Sequence, residues 1–217
     1  MTACVALTEI QSVAIEEAGH AIVAAHLGLP VQLVALWECN RGGFEGVVDY
    51  LHSDSSPFDN VAIAVAGRAA INIFDPACSF ELFLADGTYP PWPTRSPFET
   101  DMGDRSPSCS PGATPIPTLW ADKAVPDPPR LKDLHQAHAL IDRLEPTPSM
   151  KRRRRILGEQ WQRSREICRQ RLAGVATLAD ALLAAYGAAE QRASAPGCQI
   201  RAEISGEKLT RLLEFAK

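Results

Sequence analysis

The stretch Ile15–Gly28, which reads IEEAGHAIVAAHLG, is the part of the chain on which the interpretation of fold and function depends. Its alanines and apolar residues favour a helix, and its final glycine is of the type that commonly ends one. Thr8 and Gln11 have the spacing of a capping box, which marks the helix start. Glu16 and His20 are four residues apart, so their side chains project from one face. The sequence predicts one long helix over residues 9–27 that carries this pair.

The pair has the spacing of the zinc motif H-E-x-x-H, with Glu16 in the place of the first histidine. In that motif two histidines bind zinc, and the glutamate, here Glu17, is the general base toward water. A carboxylate is an acceptable replacement for imidazole, because zinc also binds carboxylate oxygen. The same residues are equally consistent with a solvated acidic face on an alanine-rich helix. The motif alone therefore leaves a metal site and a charged surface as alternatives.

A second feature is Asp133, in the segment LKDLHQAHALIDRL. The apolar residues of this segment stand 4, 7, 8 and 11 positions after Asp133, which places the aspartate on the core-facing stripe of a helix. A buried carboxylate needs a cation or several hydrogen-bond donors. A metal shared with the first helix would supply the cation. The alternative is an aspartate in a first helical turn, satisfied by backbone N–H groups.

The remaining sequence predicts a mainly α fold with a small β-hairpin or sheet, in one domain spanning residues 1–217. Strand-like runs around a double glycine predict a hairpin at about 31–51. Helices are predicted over 59–74, 131–144, 149–172, 177–193 and 205–215. Residues 90–129 hold 11 of the 17 prolines, which predicts a long irregular loop or disordered insertion.

Charge and composition exclude some function classes. The chain has 22 basic and 26 acidic residues, a net charge of −4, which argues against nucleic-acid binding. The run Lys151–Arg155 is either neutralised by an acidic segment of the same chain or binds an acidic partner. The longest apolar stretch, residues 21–37, is interrupted by polar residues and a proline, so no membrane span is expected. Six cysteines without a C-x-x-C pair, and no signal peptide, predict reduced thiols and a cytoplasmic location.

Several of these segments together resemble the FtsH family of zinc proteases. The first helix resembles the family's metal-binding helix, which typically reads HEAGHA, and VQLVALWECNRGGFEGVV resembles the strand pair that follows it. VAIAVAGRAAINIF is similar to the family's AGRAAEE helix, and EISGEKL to its closing motif. The aspartate of KDLHQAHAL falls where the family places its third metal ligand. These motifs occur in the family's order over Ala14–Leu209, which is nearly the whole chain.

The resemblance implies a fold like the FtsH peptidase domain and a zinc endopeptidase that cleaves peptides or unfolded polypeptides. It implies a metal held by Glu16, His20 and Asp133, with Glu17 as the catalytic base. Because two carboxylates make the site harder, Mn²⁺ competes better with zinc here than at a site with two histidines. The family's AAA ATPase module is absent, and the sequence has no G-x-x-x-x-G-K-[ST] motif, so no ATP is expected to bind.

An extended substrate is expected to lie antiparallel to an exposed strand of the hairpin, where main-chain pairing needs no particular side chains. The residues that would pair with it are Gly46, Val47 and Val48. Assembly into a homo-oligomer is left open. The alternative function is a catalytically impaired pseudopeptidase that acts as a protein-binding module, and a third is an unrelated helical protein in which EEAGH is coincidental. His26, His135 and His138 are expected to be solvated or packed rather than ligating.

Overall fold

The computed structural model describes residues 7–39, 42–51, 55–76, 132–145, 148–192 and 200–215. Within these ranges the protein is mainly helical, with six helices and a small antiparallel sheet of three strands. The proline-rich stretch predicted at 90–129 lies outside the described residues. In chain order the elements are α1 (Glu9–His26), β1 (Val31–Glu38), β2 (Phe44–Tyr50), α2 (Pro57–Phe74), α3 (Lys132–Leu144), α4 (Met150–Gln170), α5 (Leu172–Arg192), β3 (Arg201–Ser205) and α6 (Gly206–Phe215).

Helix α1 begins and ends as the sequence predicts. The backbone N–H of Gln11 donates to Thr8 Oγ1, and the backbone N–H of Thr8 donates to Gln11 Oε1, which completes the capping box. Gly28 follows the helix with a φ of +82°, a conformation that glycine adopts without steric cost. Both ends of the helix that carries Glu16 and His20 are therefore fixed by local sequence.

The predicted hairpin is present, and a third strand joins it. Strand β1 lies in the middle of the sheet, antiparallel to β2 on one side and to β3 on the other. Ala35 thus pairs with Val47 and with Glu203. The sequence prediction missed β3, because a strand of five residues with charged outer positions has little hydrophobic signal of its own. Strand β2 is left at one edge of the sheet.

Two helix starts differ from their predicted positions. Helix α2 begins at Pro57 rather than at Asp59, because Ser56 is the N-cap and exchanges hydrogen bonds with Asp59. Helix α5 begins at Leu172 rather than at Thr177. Gly174 is buried inside that first turn, and packing outweighs the low helix propensity of glycine there.

Helix α2 is shared by two hydrophobic cores. One side of it, including Ile63 and Ala70, packs against α1 in a core that also contains residues of the sheet, α5 and α6. Its other side, including Val65 and Ala69, packs with α3 and α4 around Ile141. A helix buried on both sides needs small apolar residues all round, as its alanine-rich sequence provides. The two cores position α1 and α3 on either side of α2.

Among the described residues, α5 is the one helix whose length and hydropathy would allow it to cross a membrane. Buried core helices of soluble proteins pass the same test, so this feature is weak evidence. Here α5 packs against α1 and β3, with Leu178 and Leu182 in the first core. The expected absence of a membrane span and the cytoplasmic location remain predictions.

Candidate metal centre

Three side chains predicted as metal ligands lie together between α1 and α3. One ligand atom each of Glu16, His20 and Asp133 lies within 4.8 Å of the other two. His20 Nε2 is 2.9 Å from Asp133 Oδ2, although the two residues are 113 positions apart in the sequence. The cluster is the one group of this kind among the described residues. The fold therefore brings together the residues that the sequence singled out.

The ring of His20 has a fixed orientation. Its Nδ1 lies 2.6 Å from the carbonyl oxygen of Ile63 on α2. Because a carbonyl only accepts hydrogen bonds, Nδ1 carries a proton and donates it. The second nitrogen, Nε2, faces Asp133 and holds the lone pair whenever the ring is neutral. A backbone carbonyl commonly orients a metal-binding histidine in this way.

Without a metal, protons balance the charges of this cluster. Burial disfavours the imidazolium, but the charge and hydrogen bond of Asp133 outweigh burial and, with Glu17 and Glu16, raise the pKa of His20 to about 10. Burial, then the charge of Asp133, raises the pKa of Glu16 to about 7. Burial favours a neutral Asp133, yet His20 and a hydrogen bond from Glu16 keep its pKa below the usual value. The metal-free cluster holds an imidazolium and a carboxylate side by side.

Arg68 on α2 also contacts this cluster. Its Nε lies 3.7 Å from Glu16 Oε1, and the two side chains are only 10% and 14% exposed. The guanidinium lowers the pKa of Glu16 and of Asp133, in opposition to burial. Glu16 and Asp133 are carboxylates crowded together, and such a pair favours a nearby cation. Arg68 is a cation that the chain itself places next to them.

Two glycines make room for the acidic residues. At Gly67 on α2, an added Cβ would lie 2.5 Å from both Glu16 Cγ and His20 Nε2. At Gly46 on β2, an added Cβ would lie 2.3 Å from Glu17 Cγ. Real Cβ atoms do not approach other heavy atoms so closely, so any larger residue would displace these side chains. The glycines are part of the walls of the site.

The predicted base, Glu17, lies on α1 next to the ligands and is 8% exposed. Its side chain faces the backbone of Gly46, within the strand segment predicted to bind substrate. Val47, the next residue, is 38% exposed. Among the described strands, none pairs with the outer edge of β2. The structure therefore places the predicted base beside the edge strand, and it leaves the binding of substrate there a prediction.

The ligand atoms suit a divalent metal by type and spacing. Ligands bound at about 2.0–2.2 Å to a tetrahedral zinc ion lie roughly 3.4 Å from one another. His20 Nε2 and Asp133 Oδ2 are 2.9 Å apart, and all three ligand atoms lie within 4.8 Å of one another, so this value falls inside the observed range of spacing. One imidazole nitrogen and two carboxylates are ligands that both zinc and Mn²⁺ accept. The structure thus defines a possible metal site without identifying the metal.

The other candidate histidines lie away from this cluster. His26 is exposed near the end of α1, and His135 is half-buried on α3. His138 is buried against the second core, where burial, then the charge of Arg153, lowers its pKa to about 4. None of the three belongs to the metal-ligand group found in the described residues. The expectation that these histidines do not bind the metal remains a prediction.

The basic run on α4 is partly neutralised within the chain. Arg152 and Arg153 form ion pairs with Glu145 and Asp142, at the end of α3. Arg155 pairs with Glu159 one turn further along α4. The acidic groups that pair with this run belong to the end of α3 and to α4 itself. The expected absence of nucleic-acid binding remains a prediction.

Sequence reasoning missed three parts of the site, namely Arg68, Gly67 and the carbonyl of Ile63. A signal for Arg68 was present, because it is the single charged residue in the apolar segment 61–74. A lone charge in an otherwise apolar helix predicts a buried partner. No sequence signal identifies a backbone carbonyl as the group that orients a histidine.

Comparison with known proteins assigns the chain to no family. The sequence matches no protein-family model, and no characterised protein is significantly similar to it. The functional argument therefore depends on the site itself.

Proposed function

We propose that this protein is a metal-dependent endopeptidase of the FtsH type, which cleaves peptides or unfolded polypeptides without an ATPase of its own. The observation that carries the proposal is the position of Glu17, between the ligand cluster and the edge strand β2. Zinc is the proposed metal, held by Glu16, His20 and Asp133. The order of metal helix, hairpin, alanine-rich helix and aspartate helix supports a fold like the FtsH peptidase domain.

In this proposal the metal and each residue of the site have a separate role in hydrolysis. When bound, zinc supplies a Lewis acid that polarises the peptide carbonyl and makes water more acidic. Glu17 takes a proton from the attacking water and delivers it to the leaving amine. His20 keeps its Nε2 lone pair toward the metal because Nδ1 donates to Ile63. The contact of Glu17 with Gly46 holds the base beside the edge strand β2.

The proposed substrate is an extended chain. A peptide that adds along Gly46, Val47 and Val48, to the edge of β2 with which none of the described strands pairs, would pass close to Glu17. Such pairing uses main-chain groups, so it tolerates many sequences but requires an unfolded segment.

Two substitutions test the proposal. Glu17→Gln removes the base but none of the three ligands, so it should abolish hydrolysis of casein-like unfolded substrates while zinc content stays at one per chain. Glu16→His restores the usual pair of imidazoles and should raise the turnover number, because a neutral ligand leaves more positive charge on the metal. Elemental analysis measures the zinc content of each variant, and cleavage of a fluorogenic casein measures its rate of hydrolysis. Glu190→Gln, an exposed change on α5, is the control and should alter neither.

The second candidate function is a pseudopeptidase that binds proteins without cutting them. It is favoured by the metal-free cluster, in which Arg68 and protons balance the carboxylates without any metal. In this case extended peptides would still bind along β2. The absence of hydrolysis by both the natural protein and Glu16→His, with zinc shown to be bound, would contradict the peptidase and support the binding module.

A further inference from the structure

Arg68 is a buried charge that the reaction described above does not use. It is the only lysine or arginine in α1 and α2. Its side chain is 10% exposed, in a helix whose other buried residues are mostly alanine, valine and isoleucine. Arginine is rarely buried to this degree unless it is paired, because removing its charge from water is costly. Its partner Glu16 is at the one position where the cluster departs from the zinc motif.

The formal charges of the site explain why a buried arginine accompanies a glutamate at position 16. Glu16, Glu17 and Asp133, when ionised, carry three negative charges. A divalent metal and Arg68 together carry three positive charges, so a loaded site with neutral His20 is neutral. With a histidine at position 16 the same site would have an excess positive charge. Charge balance favours Arg68 next to a carboxylate ligand in a buried environment.

We propose that Arg68 is a positioning residue that holds the Glu16 carboxylate as a metal ligand, so that the Glu16–Arg68 pair replaces the neutral imidazole of the zinc motif. The guanidinium lies near Oε1, and Gly67, the residue before it, lies against Glu16 Cγ. The carboxylate is thus confined between the backbone and the side chain of consecutive residues on α2. This inference rests on the metal site of the proposed function, and it does not require hydrolysis.

A double-mutant cycle on zinc affinity separates this role from a purely structural one. Affinity is measured for the natural protein, Arg68→Gln, Glu16→His and the double variant, by competition with a chromophoric zinc chelator. Removing Arg68 relieves its repulsion of the metal in both backgrounds, and that effect cancels in the cycle. The coupling that remains in the cycle reports the effect of Arg68 on the Glu16 carboxylate as a metal ligand. We expect Arg68→Gln to lower zinc affinity about fivefold or more in the Glu16 background, relative to its effect in the Glu16→His background.

The same change of affinity in both backgrounds would overturn the proposal. A structural ion pair would instead show its coupling in the unfolding of the metal-free variants and none in zinc affinity. Arg68→Lys keeps the charge and should retain most of the natural zinc affinity, whereas Arg68→Met removes the charge and replaces Arg68→Gln in the cycle if that variant does not fold. Arg163→Gln, which breaks the exposed pair with Asp59, is the matched control and should show no coupling with Glu16.

The possible outcomes distinguish this proposal from the peptidase. Zinc binding with the expected coupling but without hydrolysis overturns the peptidase and supports the role of Arg68. Hydrolysis with no coupling overturns the role of Arg68 alone. If the natural protein binds no zinc, both proposals are wrong.

Discussion

Single residues determine whether the ligand cluster can exist. Glu16 and His20 reach Asp133 only because α2 presents glycine at position 67, where a side chain would overlap both of them. Arg68, one residue later, then supplies a positive charge to the same carboxylate. The Gly67–Arg68 pair on α2 is thus as much a part of the site as the motif on α1.

The first prediction concerns Gly67→Ala. A methyl group there would overlap Glu16 and His20, so zinc binding should be lost and the free energy of unfolding should fall by about 1–3 kcal/mol. Gly187→Ala is the matched control, because it lies in a helix and its added Cβ would meet nothing within 4 Å. It should stabilise the protein by about 0.5–1 kcal/mol. Urea unfolding measures the stability of the two variants, and zinc titration measures their zinc affinity. Normal zinc affinity in Gly67→Ala would show that the cluster is not the metal site.

At the scale of elements, the site depends on how α3 is held. Asp133 stands in the first turn of this helix, and the helix packs mainly on α2 through the second core. The periodicity of Asp133 with Ala137 and Ile141, read from the sequence, is confirmed by the burial of both apolar residues. Side-chain packing several turns away therefore holds the third ligand in place.

The second prediction tests this dependence with Ile141→Ala. Removing a fully buried isoleucine should lower the free energy of unfolding by about 2–5 kcal/mol, and zinc affinity should fall because α3 no longer holds Asp133 firmly. Gln136→Ala, an exposed change on the same helix, should affect neither property. Chemical denaturation and chelator competition are the measurements. Unchanged zinc affinity in a destabilised Ile141→Ala protein would contradict the coupling.

At the scale of the whole molecule, a metal would link the two cores. The cluster joins α1, which belongs to the first core, to α3, which belongs to the second. A metal that binds only the folded protein stabilises it by about 2.7 kcal/mol at a concentration one hundred times Kd. Metal binding should therefore raise the stability of the molecule as a whole, with a dependence on pH set by the protons it displaces.

The third prediction gives the sign of that dependence. The folded state raises the pKa of Glu16 from 4.5 to about 7 and that of His20 from 6.5 to about 10. A raised pKa stabilises the fold below the unfolded pKa, and this stabilisation is lost as pH rises through the folded pKa. The metal-free protein should thus lose stability from these two groups between about pH 4.5 and pH 10. Zinc needs both ligands deprotonated, so the increase in Tm caused by zinc should grow over the same range.

Thermal unfolding at pH 5.5, 7 and 8.5, with zinc or with a chelator, measures this effect. His20→Ala should remove the response to zinc at every pH. His26→Ala changes an exposed histidine on the same helix and should leave the response intact. A Tm shift that shrinks as pH rises would be incompatible with zinc at Glu16 and His20.

The helix that carries Glu16, Glu17 and His20 could be predicted from the sequence, because its caps and periodicity are local properties of the chain. The sequence also predicted the hairpin, and the side of α3 on which Asp133 lies. Its segment boundaries were less reliable where a cap or buried glycine decided them, as at Ser56 and Gly174.

The surroundings of those residues depend on contacts between distant segments. The third strand, the close approach at Gly67 and the pairing of Arg68 with Glu16 depend on segments distant in sequence, whose contacts leave no periodic signal. The carbonyl of Ile63 that orients His20 belongs to the backbone, and every residue type has one. Local sequence patterns record which faces are buried, whereas the hydrogen bonds and charges that make a site arise where distant backbones meet.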